Sequence, residues 1–376
     1  MLPVFAIASN ITTSLGLRTA DVWDAVMAGH TGIRRHEEPT LSPTPFWASR
    51  MDDAAWEIID ERTSASPRLS RFERMALYSA QDTLAQCTTP IDLSNTVLIL
   101  ASTKGNIENL EEGDDERNLL PASAALIGKA LGIPATPVVV SHACVSGITA
   151  LIYGMRLLQA GRYEHALVVG ADRFTRFVLS GFQSFQAIAD EPCRPFDAAR
   201  KGINLGEAAT SILLSTGTAN KPLGRLCGGA TSNDANHISG PSRTGEELAM
   251  AINRAVQEAG ITPAAIGAIS AHGTATLYND EMEAKAFAHA GLLHAPVHSM
   301  KGYVGHTLGA AGILESAMVL ESIGRQQLIP SLGYKESGVS EPLIISVKAE
   351  KASLDYVLKT ASGFGGCNAA AVWGKA

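Results

Sequence analysis

One stretch near the middle of the chain constrains its fold most strongly, because it reads as a strand, a helix and a second strand. Val138, Val139 and Val140 form a β-branched run that is typical of a buried strand. Between residues 148 and 158 the apolar side chains recur at helical spacing, and Gly161 ends that helix. Residues 165–171, HALVVGA, then predict a further buried strand. This unit favours an α/β fold.

Cys144 lies at the turn between the first of these strands and the helix. A helix N-terminus offers unpaired N–H groups and a partial positive charge, and both favour a thiolate over a thiol. The small residues around the turn leave room for a substrate carbonyl. Taken alone, the motif predicts either a reactive nucleophile or a buried core cysteine.

The composition limits the classes of protein that need to be considered. With 376 residues, 46% of them hydrophobic and 18% charged, the chain can form two core-forming units or one large α/β domain. The net charge of −7 argues against nucleic acid as a bulk partner. No apolar run reaches the roughly 18 residues that a membrane span needs. The five scattered cysteines show no zinc-ligand spacing, and we therefore expect no metal, no disulfide framework and a cytoplasmic location.

The two halves of the chain repeat one pattern. Residues 297–320, VHSMKGYVGHTLGAAGILESAMVL, again read as a strand, a turn rich in polar residues and a helix of small residues. This likeness indicates an internal duplication with two similar sheets back to back. The turn-like segment 217–222 is the best boundary, which predicts an N-terminal half over 1–218 and a C-terminal half over 219–376.

Three other segments carry expectations about local structure. Residues 37–66 are polar and contain several prolines, which predicts a surface excursion. Asn279 is expected to cap the helix that follows it, and residues 343–348 are expected to form a strand.

Charged residues cluster in two places. One cluster reads as a buried ionic turn with a structural role: Arg194, Asp197, Arg200 and Glu207. The other is the basic start of a helix predicted over 68–86, and it is either a solvated face or a docking point for an acidic partner: Arg68, Arg71 and Arg74.

Three turns stand at the carboxyl ends of predicted strands. They contain Cys144, His272 with the sequence HGTAT, and the segment 301–306 with the sequence KGYVGH. Ligands of α/β sheets bind in the crevice beyond those strand ends. A nucleophilic cysteine also needs a neighbouring group that manages charge. The two histidines, His272 and His306, are therefore expected to converge on Cys144.

Five motifs follow one another along the chain: HACVSG (142–147), RPFDAARKGINLGEAA (194–209), AHGTATLYNDEMEAKA (271–286), KGYVGHTLGAAG (301–312) and SGFGGCNAA (362–370). In their order and spacing the chain resembles the β-ketoacyl-acyl-carrier-protein synthases, decarboxylating condensing enzymes of the thiolase superfamily. The resemblance covers nearly the whole chain. It implies a thiolase-like fold, with two pseudo-repeated βα halves in a five-layered αβαβα arrangement.

The resemblance also assigns roles to residues. Cys144 corresponds to the acylated nucleophile. The other catalytic positions are His272, His306, Lys301 and Glu283. Phe364 corresponds to the gating phenylalanine, and its backbone N–H and that of Cys144 would form the oxyanion hole. The expected substrate-binding residues are Thr274, Thr276, Gly365 and Gly366.

The implied reaction begins with transfer of an acyl chain to Cys144. Loss of CO2 from malonyl-carrier protein then leaves an enolate, which His272 and His306 stabilise as N–H donors. The enolate attacks the acyl group and extends a fatty acyl, polyketide or polyene chain by two carbons. The family needs no metal and no cofactor of its own, because phosphopantetheine arrives on the acidic acyl carrier protein, for which the basic helix start is a docking candidate.

Two alternatives remain at this stage. A non-catalytic chain-length factor paired with an active synthase resembles the family but typically lacks the cysteine. A thiolase would use a second cysteine as a base, and Cys367, where the family has threonine, invites that idea. The departures at Ala275 and Cys367 favour a specialised pathway, such as a polyketide, polyene or pigment system, over the main fatty-acid branch. The family is built as dimers, so the resemblance implies a homodimer, with a heterodimer as the alternative.

Overall fold

The computed structural model of the protein describes residues 2–66, 69–111, 116–235 and 240–376. The strands are β1 (Val4–Thr12), β2 (Ile33–His36), β3 (Phe46–Ser49), β4 (Thr96–Ala101), β5 (Val138–Val140), β6 (His165–Asp172), β7 (Leu205–Gly206), β8 (Ala208–Ser215), β9 (Gly224–Asn233), β10 (Ile266–Ser270), β11 (Val297–His298), β12 (Tyr356–Gly363) and β13 (Cys367–Gly374). The helices are α1 (Thr19–Met27), α2 (Asp53–Arg62), α3 (Arg71–Ala85), α4 (Leu120–Leu131), α5 (Ser146–Gln159), α6 (Arg176–Ser184), α7 (Glu246–Ala259), α8 (Leu277–His289), α9 (Lys301–Val304) and α10 (Ala311–Arg325).

The strand order shows the duplication directly. The large sheet runs β5-β4-β6-β8-β1 and continues as β9-β13-β12-β10-β11. In both halves the three outer strands are parallel and the two inner strands are antiparallel. The predicted duplication is therefore confirmed. The two predicted sheets are joined, because the start of β1 pairs with β9. The division of the chain at residues 218 and 219 stays a prediction.

The helices form three layers around the two half-sheets. Helices α5 and α10 contact each other and strands of both halves, so they lie between the half-sheets. Helices α3 and α4 cover the outer face of the first half, and α7 and α8 cover that of the second. The predicted five-layered αβαβα arrangement is thus the observed one. Among the described residues, no helix is both long enough and apolar enough to cross a bilayer.

Several local predictions were wrong. Residues 37–66 contain β3 and α2, which bury Phe46, Trp56 and Ile59, so proline and polar content hid a packed segment. Segment 343–348 makes only an isolated bridge, from Ile345 to Val297. Strand β5 is half-buried instead of buried, because it is the last strand of its half-sheet.

The predicted ionic turn does not form. Arg194 pairs with Glu191 at 3.0 Å, and the Asp197 carboxylate accepts backbone N–H bonds. The other two residues take partners from distant segments: Arg200 with Asp280 and Glu207 with Arg173, each at 3.8 Å. Asp197, Arg200 and Glu207 are buried as expected, whereas Arg194 is only partly buried.

Candidate active site

Three reactive side chains meet between the two halves. Cys144 Sγ, one ring nitrogen of His272 and one of His306 all lie within 4.8 Å of one another. The two imidazole rings are nearly perpendicular, with centroids 5.1 Å apart. All three residues are buried. The expected convergence of the histidines on the cysteine is observed.

The backbone before Cys144 adopts a constrained turn. Ala143 has a φ of 44°, in the left-handed region that costs a non-glycine residue about 1–3 kcal/mol. Ser146, the first residue of α5, stabilises this turn: its hydroxyl accepts from the N–H of His142 at 2.8 Å and donates to the carbonyl of Ala143 at 2.6 Å. Cys144 is thereby held at the N-terminal end of α5.

Close contact between α5 and α10 brings Cys144 and His306 together. A Cβ on Gly147 would lie 2.9 Å from the Gly309 carbonyl oxygen, and one on Gly312 would lie 2.7 Å from the Ile148 nitrogen. Only glycine permits this approach of the two helix starts. Because His306 precedes α10 just as Cys144 precedes α5, the contact places both side chains at one point.

Glu283 orients His272 through the backbone. Its carboxylate accepts from the N–H groups of His272 and Gly273, each at 2.7 Å, and from the hydroxyl of Thr360 at 3.0 Å. Asn279 also donates to this carboxylate, at 2.9 Å, from within α8, so the prediction that it caps this helix was wrong. The observed N-cap is Thr276.

Lys301 acts on the opposite side of the same peptide. Its ammonium donates to the carbonyl of His272 at 2.9 Å and forms an ion pair with Glu315. The Glu315 carboxylate also pairs with Lys359 at 2.8 Å. Neither Glu315 nor Lys359 was predicted from the sequence. A charged residue within an otherwise apolar helix or strand was the available signal, because such a charge needs a buried partner.

The two histidines are held in the neutral form. Burial lowers the pKa of His272 well below its usual range, and Lys301, His306 and Lys359 lower it further. Burial likewise lowers the pKa of His306, and the charges of Lys301 and Lys359 act in the same direction. Neutral imidazoles can accept a proton at one nitrogen and donate a hydrogen bond from the other.

The thiol of Cys144 does not follow the expectation from the helix end. Burial raises its pKa to about 12, and Cys367 adds to the shift, while Lys301 and Lys104 oppose it. In the resting site, loss of solvation is therefore the largest influence on the pKa of this thiol. Cys144 is therefore a thiol in the resting site, and two neutral histidines lie beside it.

We expect alkylation of Cys144 by iodoacetamide to show this protonation state. Its rate constant should rise about tenfold per pH unit from pH 7 to pH 10 without a plateau, because only the thiolate reacts. Peptide-level mass spectrometry separates Cys144 from the more exposed Cys87 and Cys227. A plateau below pH 8 would show instead that the helix end and the histidines stabilise a thiolate.

A cavity of about 320 Å³ leads from the surface to these side chains. Cys144 and both histidines lie along it, and the hydroxyls of Thr274 and Thr276, 2.8 Å apart, line its wall. Phe364 also lines the cavity and is 37% exposed. Its ring stacks on Phe182 with centroids 5.6 Å apart and meets the edge of Phe185 at 5.2 Å. An aromatic cluster thus flanks the passage to Cys144.

The remaining predicted residues lie elsewhere. Gly365 and Gly366 form the turn between β12 and β13, where a Cβ on Gly366 would lie 1.8 Å from the Asp234 carbonyl oxygen. This close approach accounts for Gly366 without any substrate.

The basic helix start is engaged in contacts within the protein. Arg71 places its guanidinium 5.1 Å from the centre of the Trp56 ring, and Arg74 pairs with Asp60 at 2.8 Å. Arg68 lies outside the described residues. The docking role of these arginines stays a prediction.

Cys144, His272 and His306 are also the donor set that could hold a metal ion, and they are the one such group found among the described residues. A thiolate and two neutral imidazoles suit a soft divalent cation. The same three atoms face the cavity, so a metal there would compete with any substrate.

Comparisons with known proteins agree with this geometry. Residues 1–219 match the family model described as Beta-ketoacyl synthase, N-terminal domain, and residues 223–335 match Beta-ketoacyl synthase, C-terminal domain. One similar protein is the 3-oxoacyl-[acyl-carrier-protein] synthase 2 of Mycobacterium leprae. It is 25% identical over 97% of this chain and 94% of the relative's length. Another is a putative polyketide beta-ketoacyl synthase 1 of Streptomyces halstedii, which is 28% identical over 95% of this chain and 94% of the relative's length.

Solved structures of beta-ketoacyl synthases share this fold. A beta-ketoacyl synthase from Burkholderia phymatum STM815 superposes with a TM-score of 0.88 at 25% identity, over the full length of both chains. A structure from Xenorhabdus doucetiae, of a ketosynthase (ApeO) in complex with its chain length factor (ApeC), matches with a TM-score of 0.85 at 25% identity, over 100% of this chain and 98% of the matched chain.

Proposed function

Since the chain belongs to the β-ketoacyl synthase family and is an acyl-transferring condensing enzyme, we propose that Cys144 carries the growing acyl chain and that His272 and His306 serve the decarboxylative step. The observation that carries the proposal is the meeting of one thiol and two neutral imidazoles within 4.8 Å at a cavity open to the surface. The reaction extends a fatty acyl or polyketide chain by two carbons.

In the first half-reaction a neutral histidine takes the proton of Cys144, and the sulfur attacks the thioester carbonyl of an acyl-carrier protein. Negative charge develops on the carbonyl oxygen, and the backbone N–H groups of Cys144 and Phe364 stabilise it. The intermediate collapses with release of the carrier thiol, which takes up the proton. The acyl group is then a thioester on Cys144.

In the second half-reaction the malonyl group loses CO2, and the electron pair of the broken C–C bond forms an enolate. Hydrogen bonds from His272 and His306 to the enolate oxygen stabilise the developing charge. The enolate carbon attacks the acyl carbonyl and expels the thiolate of Cys144, which takes up a proton from solvent because its original proton left with the carrier thiol. The product is a β-ketoacyl thioester on the carrier.

Phosphopantetheine on the carrier brings the thioester substrate into the cavity, and the enzyme needs no cofactor of its own. The hydroxyls of Thr274 and Thr276 line the cavity and are suited to hydrogen-bond the amides of such an arm. Acyl carrier protein is accordingly the proposed partner. The free cysteines fit a reducing, cytoplasmic setting.

A dimer is the proposed assembly, because β5 is an edge strand with three half-buried valines that a second chain can cover. The ketosynthase and chain-length-factor complex among the solved structures favours a heterodimer as the second candidate. Light scattering separates the two: a homodimer has twice the 39.5 kDa mass of the chain, whereas a subunit lacking its partner remains a monomer.

The thiolase alternative loses support from the position of Cys367. Its Sγ lies 3.4 Å from the carbonyl oxygen of Phe364 and 3.8 Å from that of His142, so its hydrogen-bonding is directed to backbone. Cys367 is also buried, and the residues that line the described part of the cavity do not include it.

The test of the proposed function is CO2 release from malonyl-carrier protein by acylated enzyme, followed by intact-mass analysis of the carrier. We expect a β-ketoacyl carrier two carbons longer than the acyl group supplied. Absence of acylation with carriers of every chain length tested would contradict the proposal and favour a non-catalytic or partner-dependent subunit.

A further inference from the structure

We propose that Lys359 is a positioning residue of the condensation step, because its ammonium group holds both the strand end that carries His272 and the carboxylate that anchors Lys301. This inference rests on the proposed function and adds to it a residue that lies outside all five sequence motifs. Lys359 makes no contact with the cavity in the described residues, so it would act through its neighbours.

The hydrogen bonds of Lys359 are concentrated on the end of β10. The residue lies on β12 and is completely buried. Its Nζ donates to the carbonyls of Ser270 at 2.9 Å and Ala271 at 3.1 Å, the two residues that precede His272. A third bond goes to the carbonyl of Thr360, at 2.5 Å. An ammonium has three donors, so the backbone takes up its hydrogen-bonding capacity.

Glu315 links this lysine to Lys301. One carboxylate oxygen pairs with Lys359 at 2.8 Å, and the other pairs with Lys301, which donates to the carbonyl of His272 at 2.9 Å. Three successive carbonyls, from residue 270 to residue 272, are therefore held by two ammonium groups that share one carboxylate. Loss of Lys359 would free two of these carbonyls and leave Glu315 with a single partner.

Burial of a second lysine at this position costs free energy, and packing gives no reason for it, because an apolar side chain would fill the same space. An unpaired buried charge is strongly unfavourable, and even a paired one often contributes less stability than apolar side chains of the same volume. An apolar residue on β12 would fill the space, as its apolar neighbours Val357 and Leu358 do. The lysine instead supplies charge and directed donors behind the reacting histidine.

The charge of Lys359 also acts on the protonation of the site. The titratable groups in its electrostatic environment are Glu315 on α10, Lys301 on α9, Glu283 on α8, His298 on β11, His272 after β10 and His306 before α10. Burial is the main cause of the low pKa of His272 and His306, and Lys359 lowers both further. Without it, both pKa values should rise toward the ordinary value, so that imidazolium forms at a higher pH.

The experiment compares Lys359→Met with the wild type in the two half-reactions, with Lys351→Met as a control that removes an exposed lysine. We expect CO2 release from malonyl-carrier protein to fall about 10- to 100-fold, the size typical of groups that orient a reacting residue. Acylation of Cys144 should fall less than CO2 release, because its oxyanion donors are backbone groups outside this network and a histidine serves it only as the proton acceptor. The acid limb of the decarboxylation pH profile should move to higher pH.

Several outcomes would overturn the inference. Equal losses in acylation and decarboxylation, or a decarboxylation profile that keeps its rate and its acid limb, would reduce Lys359 to a packing residue. If Lys359→Met does not fold, Lys359→Gln, which removes the charge but keeps N–H donors and leaves Glu315 paired with Lys301, is measured instead. Failure of that variant to fold would also overturn the positioning role. A wild type that releases no CO2 would contradict the proposed function itself.

Discussion

Replacement of Cys144 by alanine should abolish acyl transfer. Incubation of the wild type with acyl-carrier protein is expected to add the mass of one acyl group, whereas Cys144→Ala should add none, a loss of at least about 10⁴-fold in rate. The physical reason is that no other described thiol has both a cavity and neutral imidazoles beside it. Intact-mass spectrometry with carriers of several chain lengths makes the measurement and ranks the acyl groups at the same time.

The matched control for this prediction is Cys87→Ala. Cys87 is also a free cysteine, but it follows α3 on the outer layer, so its removal should leave acylation unchanged. A mass gain on Cys144→Ala would contradict the assignment of the nucleophile. If the mass of the wild type stays unchanged with every carrier, the result would instead favour the chain-length-factor alternative.

Replacement of either histidine should separate the two half-reactions. We expect His306→Ala and His272→Ala each to lower CO2 release from malonyl-carrier protein by about 10²- to 10³-fold, the usual cost of losing one donor to a developing oxyanion. Acylation of Cys144 should survive in both variants at a reduced rate, because its oxyanion faces backbone N–H groups. The double variant should lose less than the product of the single losses, since the two donors act on one oxygen.

Release of labelled CO2 and intact-mass acylation are measured on the same preparations. His294→Ala is the matched control, because His294 is exposed and is not among the residues that line the described part of the cavity. A variant that loses acylation completely while it retains decarboxylation would reverse the roles proposed here. Full activity of His306→Ala would remove this residue from the mechanism.

Much of the fold could be predicted because its signals are local. The valine run of β5, the helical spacing of α5 and the glycine that follows it depend on neighbours only a few residues away. The errors arose where the deciding partner is distant in sequence. Segment 37–66 is polar in composition, yet Trp56 becomes buried and is flanked by Arg71 and Arg173, each guanidinium 5.1 Å from its ring centre.

The residues of the candidate site also fall into those that local sequence predicts and those that depend on a partner distant in sequence. Cys144, His272 and His306 were predictable because each comes after a predicted strand, where ligands of α/β sheets bind. The contact of α5 with α10 then brings the strand ends of the two halves together. Lys359 was not predictable, because nothing near it in the sequence shows which carboxylate it meets. Glu315 lies 44 positions earlier in the numbering and on another layer.

The sequence by itself determined the two βα halves and the positions of the candidate nucleophile and its two histidines, because short-range periodicity and motif spacing specify strands, helices and the turns between them. Only the tertiary structure decided the protonation of the site and the partners of its charges. A pKa depends on solvation and on charges within a few ångströms in space, and packing alone sets both. For this reason the start of α5 suggested a thiolate at Cys144, whereas the assembled site buries a thiol between two neutral imidazoles.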